Sequence, residues 1–255
     1  MIVVYKYGYP TGTDTPDISP FVVKLETWLR MSGIPYETRT GTRRDMPKAK
    51  LPSARVDGRL VADSSFIIAY LQQHDPRALD DTHLSPVQQA QAEAIKSMIE
   101  NQLYFAGFYF RWCVDTNFVR YRPLLLDYAK RSVAGWQRPL LPVLGQVAIS
   151  LIRRQKVRQV WEQGMARHTA DEVAAIGRSA LEALATLLGQ QDYLFGDKPS
   201  TVDASAYVQL HTLVKHPFPS PLQDFALVRP ELMAYLDRIA QRYWAGATKQ
   251  VAPIN

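Results

Sequence analysis

The stretch 46–73, MPKAKLPSARVDGRLVADSSFIIAYLQQ, holds the residues best placed to grip a small polar ligand. Asp63 and Ser64 stand where a hairpin ends and a helix begins. A helix N-terminus offers free N–H groups and partial positive charge to a carboxylate, and a neighbouring carboxylate can hold an ammonium. Leu51-Pro52 lies eleven residues upstream. A cis bond there would leave the Leu51 backbone open to pair with an extended ligand. Taken alone, Asp63 reads as an ordinary helix cap; beside Leu51-Pro52 it reads as part of a ligand site.

The elements that position these residues can be read from the same stretch. Pro52 has no N–H, so it precedes a strand rather than sitting inside one. Ser53 to Val56 and Arg59 to Ala62 are the strands of a hairpin, with Asp57-Gly58 suited to the positive φ of a type I′ turn. Asp63 or Ser64 then caps a helix carrying Phe66, Ile67, Tyr70 and Leu71 on one side. Upstream, Val3, Val4, Tyr5 and Tyr7 make a first strand, and a Gly/Pro/Thr/Asp loop runs from Gly8 to Ser19. Ser19 suits the cap, Pro20 the first turn and Gly33 the end of the next helix, whose Phe21, Leu25, Trp28 and Leu29 share a face. Ile34 to Thr40 is a second strand, and the crossover makes it parallel to the first. A loop with Arg43, Arg44 and Lys48 leads back to the hairpin.

Beyond Asp75 no convincing strand appears. Residues 75–85 read as a linker. Ser85/Gln88, Thr169/Glu172 and Ser200/Asp203 have capping-box spacing, and each opens a helix with apolar residues at helical intervals. An aromatic run, YFAGFYFRW, spans Tyr104 to Trp112. Residues 119–168 hold ten Lys or Arg against Asp127 and Glu162, a local charge of +8 within a chain of net +6. The segment reads as one or two helices broken near Pro139 and Pro142, most simply a solvated basic face, since no nucleic-acid motif accompanies it. An apolar fraction of 47% excludes disorder. The one cysteine, Cys113, excludes an internal disulfide and reads as a buried inert thiol. No signal peptide or spanning segment is seen and the single cysteine suits a reducing compartment, so a cytoplasmic protein is expected; no metal-ligand cluster or phosphate loop is seen either.

The order LP, strand, DG, strand, ADS, helix resembles the second half of the thioredoxin-like domain of glutathione S-transferases. FGDKPSTVDASAY is similar to the capping box of that family's helical domain, where Ser200 and Asp203 would be folding residues. SPFVVKLETWLRMSGIPYE and GMARHTADEVAAIG resemble the metaxin and failed-axon-connections branch, with its bacterial glutathione-transferase-like members. The resemblance covers nearly the whole chain. It implies an α/β plus all-α fold: a thioredoxin-like βαβ-ββα domain at 1–74, the linker, and an all-helical domain at 86–255.

It also implies roles. Glutathione is the expected co-substrate, with no metal. Leu51 and Pro52 would pair with its cysteine backbone, with Lys50 beside them, and Asp63 and Ser64 would hold its γ-glutamyl end. Ser19 stands where catalytic Ser or Cys residues sit in this superfamily, and would donate to the thiol, whose free pKa is ~8.5. Val22 replaces a cysteine frequent in the branch, which disfavours thiol-transferase chemistry. Tyr5, Tyr7 and Tyr9 are rival donors, Tyr7 foremost, while Tyr5 reads as core. Tyr104, Phe108, Tyr109 and Trp112 are candidates for the wall of an apolar pocket, against the plainer reading of a core or subunit-interface stripe. The expected activity is glutathione transfer to a small apolar electrophile, or reduction of a peroxide, in a homodimer serving detoxification. The alternative from the same resemblance is a non-catalytic metaxin-like interaction module.

Overall fold

The computed structural model describes residues 1–8, 15–42, 46–132 and 144–245. Among them, four strands form one sheet in the order β2-β1-β3-β4: β1 (Ile2–Lys6), β2 (Tyr36–Thr40), β3 (Ser53–Val56) and β4 (Arg59–Ala62). β1 and β2 are parallel, and the other pairs are antiparallel. The parallel pair follows from the crossover through α1 (Pro20–Met31). The hairpin turn has Asp57 at φ 46° and Gly58 at φ 89°, both in the left-handed region that this tight reversal requires.

α2 (Ser64–His74) buries Ile67, Ile68 and Leu71 against the sheet. Phe66 does not join them: it is 61% exposed, and its ring is covered by the Lys48 ammonium at 4.0 Å. α1 is buried along most of its circumference, including Lys24, Glu26 and Thr27, because it lies between the sheet and a later helix. That helix is α8, given below; Trp28 Nε1 donates to Thr201 Oγ1 at its first turn, at 3.3 Å.

The rest of the described chain is largely helical. α3 (Pro86–Ser97) runs through a π-helical segment, Met98–Leu103, into α4 (Tyr104–Trp112). α5 (Asp115–Ser132), α6 (Gln146–Gln163), α7 (Ala170–Leu188), α8 (Thr201–Lys215), α9 (Pro221–Leu227) and α10 (Pro230–Ile239) follow. The first two capping boxes form as their spacing predicts. At the third, Asp203 accepts from Ser200 N–H at 2.8 Å and Oγ–H at 2.7 Å, from Leu194 N–H at 3.0 Å and from the Tyr235 hydroxyl at 2.9 Å. The basic segment is helical on both sides of residues 133–143; Pro139 and Pro142 lie outside the described residues. Arg131 pairs with Asp127, Arg153 with Asp115 and Arg158 with Glu162. The chain is thus a small mixed sheet with its helices followed by a largely helical region. Among the described residues no helix is long and apolar enough to cross a membrane.

Candidate active site

The register brings one set of candidates to a single end of the sheet. Tyr5 lies opposite Ser53, and Ser53 opposite Ala62. The chain leaving β1 (Tyr7), the chain entering β3 (Pro52) and the chain leaving β4 (Asp63) therefore converge. The Leu51–Pro52 peptide is cis, and Asp63 N–H donates to the Pro52 carbonyl at 3.2 Å. Asp63 caps α2, accepting Ser65 N–H at 3.0 Å, with φ at +83°. Few residues other than glycine adopt that angle, and such outliers gather at ligand sites. Ser64 is buried at the first position of α2, while Lys50 is exposed and its carbonyl accepts from Ser53 Oγ at 3.5 Å.

Ser19 occupies the cap position of α1 by its backbone: Val22 and Val23 N–H groups reach its carbonyl at 3.1 and 3.3 Å. Its hydroxyl makes no capping hydrogen bond. What fixes Ser19 is Asp17. The Asp17 carboxyl accepts Ser19 N–H at 2.9 Å and Gly8 N–H at 2.8 Å, clasping both ends of the loop between β1 and α1. Gly8 has φ +89°, which strains any residue with a side chain, and a Cβ there would also press on the Arg131 guanidinium at 2.7 Å. Asp17 is 1% exposed and faces a buried ion pair between Lys6 and Glu26. Burial pushes its carboxyl up to about 7; Lys6 and the two N–H donors act the other way, and Glu26 adds to the rise. Tyr7 packs edge-on against Tyr128 at 5.0 Å. Tyr5 is half-buried rather than fully in the core, and Tyr9 lies outside the described residues.

Tyr7 and Ser19 both border an apolar cavity of about 640 Å³ between α1, α4, α5 and α6. Tyr104, Phe108 and Trp112 form one wall, at helical spacing along α4, with Phe21 against Tyr104 at 5.0 Å. Tyr109 is not among the lining residues. It points a quarter-turn away and meets Phe110 edge-on at 5.4 Å. Burial pushes the Tyr104 hydroxyl up to about 12 and the Cys113 thiol up to about 11, so neither ionises near neutrality.

The chain matches the family models for the glutathione S-transferase N-terminal domain over residues 20–117 and its C-terminal domain over residues 177–239. It belongs to the glutathione S-transferase family. An isoprene-epoxide–glutathione S-transferase of Rhodococcus sp. (strain AD45) is 32% identical over 95% of this chain and 99% of its own. The failed axon connections protein of Drosophila melanogaster is 28% identical over 94% of this chain, which spans 58% of that longer protein. Metaxin-2 of Mus musculus is 22% identical over 86% of this chain and 80% of its own. These relatives match the metaxin-like branch. Among solved structures, a β-etherase from Sphingobium sp. strain SYK-6 has TM-score 0.61 at 18% identity, covering 94% of both chains. A glutathione S-transferase from Methylobacterium radiotolerans in complex with glutathione sulfonate has TM-score 0.57 at 19%, covering 100% of this chain and 97% of its own. Both show the fold.

Several charged groups of this transferase-family site have no place in the sequence reading. Lys6, Asp17 and Glu26 form the buried cluster beneath Ser19. Lys24, 1% exposed, donates to Ser65 Oγ at 3.0 Å and Glu100 at 2.6 Å, and Ser205 Oγ donates to Glu100 at 2.7 Å. That bridge ties the first turn of α2 to the helical region. Arg111, 6% exposed, lies on the cavity wall. The partners of Lys24 and Glu26 lie far away in sequence, so no local pattern marks these residues as buried.

Proposed function

We propose that the chain binds glutathione at the sheet end and activates its thiol for attack on an apolar electrophile held in the cavity. The observation that carries this reading is the Ser19 hydroxyl. It sits at the N-terminus of α1, makes no capping bond, and borders an apolar cavity walled by aromatic rings. A hydroxyl donor together with a helix N-terminus favours a thiolate over a thiol. In this reading Ser64 and the N-terminus of α2 take the γ-glutamyl carboxylate, Asp63 its ammonium, and the Leu51 backbone the cysteine backbone. Tyr7 is the rival donor on the same cavity. The relative named for isoprene epoxide makes an epoxide the first electrophile to try, with peroxide reduction a second activity. A cytoplasmic homodimer with a detoxifying role belongs to the same proposal.

A second reading, a non-catalytic binding module, draws on the metaxin and failed axon connections relatives. Thermal unfolding with millimolar glutathione, followed by turnover of styrene oxide, separates the two. The transferase reading expects a higher melting temperature, since a ligand of the folded state stabilises it by mass action, and an adduct with styrene oxide. No shift refutes glutathione binding. A shift without turnover of any electrophile favours the binding module.

A further inference from the structure

Arg111 sits near the C-terminus of α4 and lines both the large cavity and a small one of about 20 Å³. It is 6% exposed. Its charge lies 5.6 Å from the ring centre of Tyr121 and 5.5 Å from that of Phe218. Nε has no hydrogen-bond partner. The other deeply buried cations, Lys6 and Lys24, are each paired with a glutamate; Arg111 forms no ion pair with an acid among the described residues. Its charge is felt: it works against burial at the Tyr104 and Tyr121 hydroxyls and helps keep His216 neutral. The described residues of the cavity wall include no Asp or Glu. Among the described residues, the wall at Arg111 is thus apolar and aromatic, with a buried guanidinium and no carboxylate paired to it. Arg111 donates to the Tyr121 hydroxyl, but a neutral hydroxyl and aromatic faces leave much of a guanidinium's desolvation uncompensated, and an anionic oxygen accepting from it would supply the balance.

We propose that the cavity takes an apolar molecule bearing an anionic oxygen, with Arg111 as its counter-charge. This deepens the transferase reading by naming the electrophile class, and its binding half stands without that reading. The anion has two possible sources. It is a carboxylate the molecule carries throughout, or the alkoxide formed when an epoxide opens. In the second case the glutathione sulfur bonds to a ring carbon and the C–O bond breaks, its electron pair going to oxygen. The alkoxide, facing Arg111, takes from solvent a proton equal to the one the thiol released, and the product is the hydroxy-thioether.

The test begins with binding, using 4-phenylbutyrate and 4-phenylbutan-1-ol as a charged and neutral pair at pH 7.5 by calorimetry. The parent should bind the carboxylate about tenfold tighter or more, the scale of one charge-assisted hydrogen bond. Arg111→Gln should bring the two within about threefold by weakening the carboxylate alone, and Arg111→Lys should keep most of the preference. Unchanged affinity for the alcohol reports that the cavity of the variant is intact. Equal binding of the pair by the parent, or parallel loss of both in Arg111→Gln, overturns the proposal. Kinetics then identify the source. With styrene oxide, a fall in kcat of about tenfold or more in Arg111→Gln, against unchanged turnover of benzyl chloride, assigns the alkoxide. A rise in KM confined to 4-(chloromethyl)benzoate assigns the carboxylate. If the parent turns over none of these, the transferase reading fails while the binding pair still decides the role of Arg111.

Discussion

Asp17 offers a direct test of how the loop beneath the site is held. Its carboxyl is raised to about 7 in the folded protein from an ordinary value of 3.8, chiefly by burial. An acid with a raised folded pKa contributes stability that is complete below the unfolded pKa and is lost as pH rises through the folded one. Between pH 5 and pH 7.5 the loss from this group is roughly 2–3 kcal/mol, at 1.36 kcal/mol per unit. Asp17→Asn removes the titration. Asn also gives up one of the two N–H bonds, but that cost does not vary with pH. The difference in melting temperature, variant minus parent, should therefore move in favour of the variant by about 5–10 °C from pH 5 to pH 7.5, at 2–4 °C per kcal/mol for a chain of this size. Other raised carboxyls, Asp81 and Asp203, titrate alike in both proteins and cancel. A difference independent of pH would mean that Asp17 is already ionised at pH 5. Lys6 and the two amide donors would then outweigh burial, and the reasoning here would be wrong.

The remaining predictions concern the ligand and its support. Ser19→Ala should raise the pKa of bound glutathione's thiol by about one to two units, since a hydrogen bond to a charged group contributes about 1.5–3 kcal/mol; ultraviolet titration measures it, and Tyr7→Phe in the same assay decides between the donors. Because the Ser19 hydroxyl caps nothing, the same variant should lose less than about 0.5 kcal/mol in denaturant unfolding, where a true cap would lose about 1. Asp63→Ala should reduce the thermal shift given by glutathione well beyond its effect on the free protein; an undiminished shift returns Asp63 to a plain cap. Glu26→Gln removes the carboxylate paired with the buried Lys6 ammonium and should cost up to about 3–5 kcal/mol by urea titration, less as rising pH ionises Asp17, which can stand in for the lost partner.

Much of the fold was legible because local signals and tertiary structure agree. Ser53–Val56 and Arg59–Ala62 form the hairpin at the expected residues, since Asp57-Gly58 tolerates a backbone that few other pairs adopt. The capping boxes mark true helix starts because their bonds are made within four residues. Phe66 and Ile68 exchange places relative to the expected face of α2, since the sheet receives a stripe turned slightly from the one that periodicity alone selects. Tyr109 is set apart from Tyr104, Phe108 and Trp112 in the same way: those three follow helical spacing along one line, and Tyr109 lies one step off it.

What stayed hidden is the charge inside the molecule. A lysine or glutamate in sequence reads as solvated, because burying one alone is prohibitive. Lys6 and Glu26 are twenty residues apart and Lys24 and Glu100 seventy-six, so no local pattern announces either pair. Their placement has a common logic. One pair lies under the loop that bears Ser19, and the other braces the turn that follows Ser64. The two helix N-termini read as the thiol and γ-glutamyl sites are thus each backed by an ion pair on a buried lysine that fixes the loop or turn from within. A hydrophobic isostere would hold these segments about as firmly in free energy, but with less directional constraint. Replacing Lys24 and Glu100 together by methionine and leucine should therefore leave global stability nearly unchanged while loosening Ser65. Amide hydrogen exchange in the first turn of α2 reads that local opening. Unaltered exchange there would show that packing alone orients the turn.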